Sequence, residues 1–423
     1  MRERANTSYL RPKKAGCFRT VWNSYEDRTG SLGIKTMTDV TLRAMGQRPG
    51  IEVTDRRFID DCDYYAECVD DRPERDTAIP HIEGSVLYAG YMRKSWGHFL
   101  MNSTARLWPL FQSDSPQFDK IIFFAEDNTV KEPKGNFREF LSLLGILDKC
   151  VVLSDGTYHF DRLTVGDISL EMGVYYSEEF LRPFEFVRKS VIDTLAEIDE
   201  KNFGKGIIMA RSGWNNNDAM QINVKEIEHL FKANGYEAVC PESLSLSELI
   251  IRMHYAREVV SFSGSTAHNI LFAIGNKPLI ILERCGYNNV YQIGIMKLKQ
   301  GHATMIDCFY QPLLASSTDN LTIYGITDEL RRFITDRGML LQDVRLNPHT
   351  EFERYLKIYR RHYGYGPGIN TWETEQIDAI FEAYFNSRHR YSRYIDRRTP
   401  VLWNDYFSPR VIFRFLKDKI HRH

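Results

Sequence analysis

The chain predicts an α/β fold, with two alternating strand–helix units and a helical C-terminal extension. Three observations carry this expectation. Strand-length apolar runs alternate with helix-period stretches from Ser85 to about residue 175, and again from Gly206 to Glu283. The second run is sharply punctuated, with Asn223 and Glu226 reading as a helix start and Asn234-Gly235 as a stop. At 423 residues the chain is too long for one ordinary core, so two domains of roughly 150–200 residues are expected.

Residues 1–84 are turn-rich and charged, and read as short strands belonging to the first unit. Residues 85–200 hold "SVLYAGY" as a strand, "WGHFLMNSTARLWPLF" as a helix, "KIIFFAE" as a strand, "FREFLSLLGIL" as a helix, "CVVLSD" and "RLTVGDISL" as strands, and a helical connector. Residues 201–345 hold the second unit, whose strands "GIIMARS", "YEAVCPE", "REVVSFSG" and "KPLIILE" alternate with three helical crossovers. That pattern is a parallel, doubly wound sheet. Alternation stops near residue 345, and residues 346–423 read as a helical, Tyr- and Arg-rich extension after "YGYGPG".

Composition excludes several classes of function. Lys plus Arg number 55 against 56 Asp plus Glu, which leaves no bulk field for nucleic acid. The seven cysteines are scattered, with no C-x-x-C pair, and suit reduced thiols in a cytoplasm rather than disulfides or a zinc site. Neither an apolar leader nor a bilayer-length apolar run is expected from the sequence. Charge is uneven, however: from Arg388 onward there are ten Lys or Arg against three Asp, and "RVIFRFLKDKIHRH" (410–423) reads either as an interfacial helix for anionic lipid or as a basic helix packed on its own protein.

Chemistry gathers in two places. On a continuous helix, His98, Asn102 and Arg106 would line up at i, i+4, i+8 opposite an apolar stripe. In open parallel sheets, ligands bind beyond the carboxyl ends of the strands. Those ends carry Arg211-Ser212, Glu242, Ser263-Gly264-Ser265-Thr266 and Glu283. The small-hydroxyl turn leading into a helix presents free N–H groups to a phosphate, Arg211 adds a bidentate partner, and Glu283 suits a ribose diol. Together they sketch a nucleotide-diphosphate site. Asp61-Cys62-Asp63 spells a D-x-D, but with Asp60 it reads as a solvated acidic loop, and no metal site is assigned. The chain has neither G-x-G-x-x-G nor a Walker motif.

"WGHFLMNSTARLW" resembles the G-H-F-L…R-L-W helix of glycosyltransferase family 61. "ARS…GYEAVCPESLSLSELIIRMHYAREVVSFSGSTAHNILFA" is similar to that family's R-S…P-E-x-L-S-L…G-x-H-G-A-G-L-T-N-L-L-F-A run. The resemblance implies two Rossmann-like domains facing a cleft (GT-B type) and inverting transfer from a nucleotide sugar, UDP-sugar favoured, with no cofactor required. For donor binding the residues that match it are Arg211, Glu242, Gly264, Asn269 and Glu283, to which the strand-end reading adds Ser212, Ser265 and Thr266. His98 matches its G-H-F histidine and is read as the base, with Asn102 and Arg106 orienting it or the acceptor, and a carboxylate of Asp60, Asp61 or Asp63 as the alternative base. Bacterial members build capsular and lipopolysaccharide glycans, so the implied acceptor is a glycan or lipid-linked glycan at the inner face of the plasma membrane. The chain departs from the family at Ser263, where a histidine is usual, and at Ser265-Thr266, which replace Ala-Gly. Two rival readings remain: a nucleotide-sugar epimerase or hydrolase of the same plan, and a non-catalytic nucleotide- or sugar-binding protein.

Overall fold

The computed structural model describes residues 5–341 except 48–57, 62–63, 70–78, 114–116, 128, 196–205, 213–220, 276, 287, 301 and 311–321, and it also describes 354, 355 and 358. The C-terminal extension from 346 and the basic tail therefore lie almost entirely outside the described residues, as does Asp63.

The second unit is a six-stranded, wholly parallel sheet. Its order is Ala5–Tyr9, Ala303–Asp307, Leu279–Glu283, Val259–Phe262, Gly206–Met209, Tyr236–Val239. Its strands are short and apolar because both faces are covered, as parallel sheets require. From Gly206–Met209 the chain steps outward to Tyr236–Val239, then returns to the other side at Val259–Phe262. The crevice where the winding reverses therefore opens beyond Met209 and Phe262.

Two strands of this sheet escaped the sequence reading, Ala303–Asp307 and Ala5–Tyr9. The second of these corrects the assignment of residues 1–84 to the first unit. Ala5 pairs with Ala303, and the helix Pro12–Ser24 packs beside the helix Val290–Lys299. Lys14 on that helix reaches the buried strand ends, with Nζ 2.8 Å from Glu283 Oε2 and 3.1 Å from Asp307 Oδ1. The N-terminal stretch turns to the first unit at Glu26–Asp27, which pair with Tyr175–Tyr176, and from Ile34 it enters the first unit's main sheet.

The first unit is a seven-stranded mixed sheet in the order Phe58–Asp61, Tyr64–Val69, Ile34–Gln47, Thr157–Gly166, His81–Met92, Lys120–Ala125, Cys150–Leu153. The last four run parallel, and the first three form an antiparallel flank. The expected strands at 85–91, 120–126, 150–155 and 162–170 are all present within a few residues, but the antiparallel flank departs from a simple doubly wound unit.

A continuous apolar core runs through both units. Rings form its bridge: Phe99 lies 5.5 Å from Phe140, Phe140 lies 5.9 Å from Phe272, and Phe184 lies 5.3 Å from Phe272. Glu139 strengthens the bridge from the first unit, accepting from the amides of Leu246 (2.8 Å) and Ser247 (2.9 Å) at the start of the helix Leu246–Tyr255. That helix also closes its own capping box through Ser245 and Glu248. By contrast, Asn223 does not cap the helix Val224–Ala233 with its side chain. It sits at φ 68° and donates Nδ2 to the Tyr324 carbonyl.

Candidate functional site

The expected helix at 96–111 is broken. One turn, Trp96–His98, passes into the wider π-helical turn Phe99–Ser103, and the chain resumes as the 3-10 turn Trp108–Phe111 around Pro109. The row of three polar residues is therefore split. His98 is exposed and Asn102 is buried beside it, with His98 Nδ1 3.0 Å from Asn102 Oδ1. Arg106 turns away, buried against the Gly166 carbonyl and near the Tyr88 ring. It supports the first sheet and stands apart from His98.

Across from His98 stands the Ser263–Thr266 turn of the second unit. Gly264 has φ 117°, a conformation that favours glycine, and a side chain there would meet Arg284 Nη2 at 3.3 Å and Arg211 Nη1 at 3.8 Å. Two guanidinium groups thus converge over one glycine. Arg211 is buried and its pKa is pushed down, first by burial and further by the cation of Arg284. Two neighbouring cations, one of them desolvated, make a place for a multiply charged anion. The helix after the turn is only Ser265–His268, followed by the 3-10 turn Asn269–Phe272, so the guanidinium groups rather than a helix dipole supply the positive charge.

The remaining donor-side residues fall into distinct roles. The Arg211 and Ser212 amides and the Ser212 hydroxyl all donate to Glu228, at 2.7, 3.0 and 2.5 Å, fixing the end of the strand Gly206–Met209. Thr266 Oγ1 accepts from Arg211 at 3.5 Å, and Ser265 is exposed at the mouth of the turn. Asn269 Oδ1 accepts from Trp96 Nε1 at 2.9 Å, tying the turn to the first unit. Glu242 is exposed beyond Tyr236–Val239. Glu283 is fully buried, burial raises its pKa, and its Oε2 accepts from Lys14 Nζ at 2.8 Å, so the carboxylate expected to meet a ribose is held in part by a buried ion pair, with Oε1 left without a hydrogen-bond partner.

Between the two units a polar cluster forms that the sequence did not announce. Tyr291 Oη accepts from Asn102 Nδ2 at 3.0 Å, and its ring stands edge-on to His98 (6.0 Å) and His268 (6.2 Å). His268 is buried, with Nε2 3.4 Å from Asn289 Nδ2, and burial followed by the nearby His98 pushes its pKa down to about 4. Since an amide nitrogen can only donate, His268 accepts there and stays neutral. Arg284, Asn289 and Tyr291 all sit just past the strand Leu279–Glu283. Only the position of Arg284 at a strand end could have signalled any of them.

Of the acidic cluster, Asp60 and Asp61 lie in the edge strand Phe58–Asp61 of the first sheet. Among the described residues no group of three metal-ligating side chains occurs.

Residues 96–279 match the family model described as Glycosyltransferase 61. No curated protein matches the chain. The matched segment spans His98, Asn102, Arg211 and the Gly264 turn, and ends before Arg284 and Tyr291.

Proposed function

From the match of residues 96–279 to glycosyltransferase family 61, which implies glycosyltransferase activity, we propose an inverting GT-B-type enzyme that moves a sugar from a nucleotide diphosphate, UDP-sugar favoured, to a glycan hydroxyl. One observation carries this reading. The turn that bears His98 abuts the turn over which Arg211 and Arg284 converge, so a proton acceptor and an anion cradle meet at one seam.

In the reaction the acceptor oxygen attacks the anomeric carbon while the bond from that carbon to the diphosphate oxygen breaks on the opposite face. The hydroxyl proton passes to His98 and then to solvent, and the leaving diphosphate keeps the bonding pair. Arg211 and Arg284 neutralise that charge as it develops, so the reading invokes no metal ion. His98 is preferred to His268 as the base. Its Nδ1 donates to Asn102 Oδ1, which can only accept, so its Nε2 lone pair is left for the acceptor. His268 spends its lone pair on Asn289 and titrates far below neutrality.

A lipid-linked acceptor at the inner face of the plasma membrane, reached by the basic tail 410–423, remains part of this proposal. Its support is the charge pattern alone.

The deciding experiment is thermal stabilisation by UDP-, GDP-, dTDP- and CMP-sugars and their free diphosphates, on wild type, Arg211→Met and Arg284→Met. A nucleotide diphosphate at about 100 times its Kd stabilises by roughly 2.7 kcal/mol. The expected result is such a shift in wild type and its loss in both variants. No shift with any nucleotide at millimolar concentration would overturn the reading. Hydrolysis of the donor with no acceptor requirement would move the weight to a hydrolase.

A further inference from the structure

We propose that a cavity between the two units, floored by Lys299, is a second glycan site that takes a sugar bearing one carboxylate. The choice of a sugar rests on the transferase reading, and the choice of charge rests on the cavity itself. The cavity lies at the opposite end of the helix Val290–Lys299 from Tyr291, roughly 12 Å along by helix rise. It encloses about 550 Å³, within the range of ligand sites. Glu178, Arg182 and Glu185 reach its rim from the first unit, on the 3-10 turn Glu178–Leu181 and the helix Arg182–Ile192. Lys299 and Gln300 come from the second unit.

Lys299 decides the charge of the ligand. It is buried, and its Nζ donates to the Leu271 carbonyl at 3.2 Å and to the Ala273 carbonyl. An ammonium carries three N–H groups, so one is left for the cavity that it lines. Among the described residues no carboxylate bonds to it; Glu185 and Arg188 act on it from further off, with opposite signs. Burial pushes its pKa down to about 8. A desolvated cation without a bonded counter-ion is a place for an anion. The rim limits how much charge that anion can carry. Glu178 and Glu185 oppose a multiply charged group such as a diphosphate, whereas a single carboxylate can meet the amine on the floor and leave uncharged groups at the rim.

The rim decides the rest of the ligand. Carboxylates accept, and a guanidinium and an amide nitrogen donate, so Glu178, Glu185, Arg182 and Gln300 together suit hydroxyl groups, which do both. Gln300 Nε2 already reaches Glu178 Oε1 at 3.4 Å, so donor and acceptor stand side by side. The buried Leu181 and Leu298 add an apolar wall for the C–H face of a sugar ring. An α-amino acid fits worse, because its ammonium, one carbon from its carboxylate, would stand beside the Lys299 amine. An acidic sugar held here touches both units at once. The enzyme would thereby select its glycan by a residue that takes no part in the transfer.

Saturation-transfer NMR titrations of the full chain with free glucuronate, glucose and acetate, at one ionic strength, test the site. Glucuronate is expected to bind at least about tenfold more tightly than either control, since glucose lacks the carboxylate and acetate the hydroxyls. Its affinity should fall about tenfold from pH 7 to pH 9, because the amine loses its proton in that window while carboxylates and guanidinium groups do not titrate there. Lys299→Met is expected to abolish binding. Should that variant fail to fold, Arg182→Met, on the exposed rim, is expected to weaken glucuronate about tenfold with the melting temperature unchanged, as the loss of one charge-assisted hydrogen bond would. Absence of glucuronate binding, equal binding of glucose or acetate, an affinity flat between pH 7 and pH 9, or full binding in Lys299→Met overturns the proposal. The nucleotide melts described above test the transferase reading separately. Their failure, with glucuronate still bound, would sink that reading and leave the acidic-sugar site standing.

Discussion

Gly97 and Ser265 touch across the seam between the two units. A Cβ built on Gly97 would fall 2.6 Å from Ser265 Cβ and 3.1 Å from its Cα, and closer still to its hydroxyl. The glycine is thus a spacing device that sets how near His98 comes to the Gly264 turn. Gly97→Ala is expected to force the turns apart, lowering stability by about 1–3 kcal/mol and weakening pyrophosphate affinity. Ser265→Gly in the same chain should recover part of both losses, and a double-mutant cycle of melting and binding measurements checks it.

Arg284 shares its space with the cation of Arg211. Removing one of two like charges relieves repulsion, so Arg284→Met is expected to leave the stability of the free protein within about 0.5 kcal/mol of wild type or slightly above it. Stabilisation by pyrophosphate should vanish in the same variant. Parallel melts with and without the anion separate the two effects.

His268 makes stability depend on pH. Its folded pKa of about 4 lies below the ordinary histidine value, so between about 6.5 and 4 the unfolded chain binds a proton that the folded chain refuses. Stability contributed by the neutral ring is complete above that window and is lost as pH falls through it. Between pH 7 and pH 5 the loss is about 2 kcal/mol. Denaturant unfolding at the two pH values should show it in wild type and a flatter dependence in His268→Gln.

Lys14 is buried between two buried carboxylates. Burial alone would push its ammonium pKa down, but Glu283 and Asp307 more than offset this and hold it up. Lys14→Met would strip Glu283 of its cation while Asp307 keeps Arg11, whose amide donates to it at 2.8 Å, at a cost of about 3–5 kcal/mol. The expected outcome is a large fall in melting temperature, partly recovered by adding Glu283→Gln. An unchanged melt would mean that the N-terminal helix does not hold this strand end.

Glu139 caps a helix of the opposite unit. Glu139→Ala is expected to cost about 1–2 kcal/mol, despite the intact Ser245–Glu248 box, because two amides lose their acceptor. Hydrogen exchange at Leu246 and Ser247 should rise while exchange in the Val259–Phe262 strand stays slow.

What could be read in advance followed from local signals. Apolar runs such as "PLIILE" and "KIIFFA" located buried strands, and Arg211 with the Gly264 turn located the crevice, because a strand end and a glycine at positive φ are encoded within a few residues. The misses were non-local. Nothing near "ANTSY" says that it pairs with Ala303, and Glu283 looks like a free carboxylate until Lys14 arrives from the far end of the chain. Periodicity also failed at Arg106, because a π-helical turn and Pro109 shift the residues that a regular helix would stack. Tyr291 gives no signal at all, since its role exists only once Asn102 lies beside it.

The pairing of Ala5 with Ala303 also constrains how the molecule is made. At about 5–20 residues per second, roughly 15–60 s of synthesis separate the first strand from its neighbour in the sheet. During that interval the segment Ala5–Ser24, with its lysine, must wait unpaired or be sheltered, and the parallel sheet gains its last edge only when both units have largely emerged from the ribosome. The strand made first is thus the strand placed last, and the sheet closes across all the chain between Ala5 and Ala303.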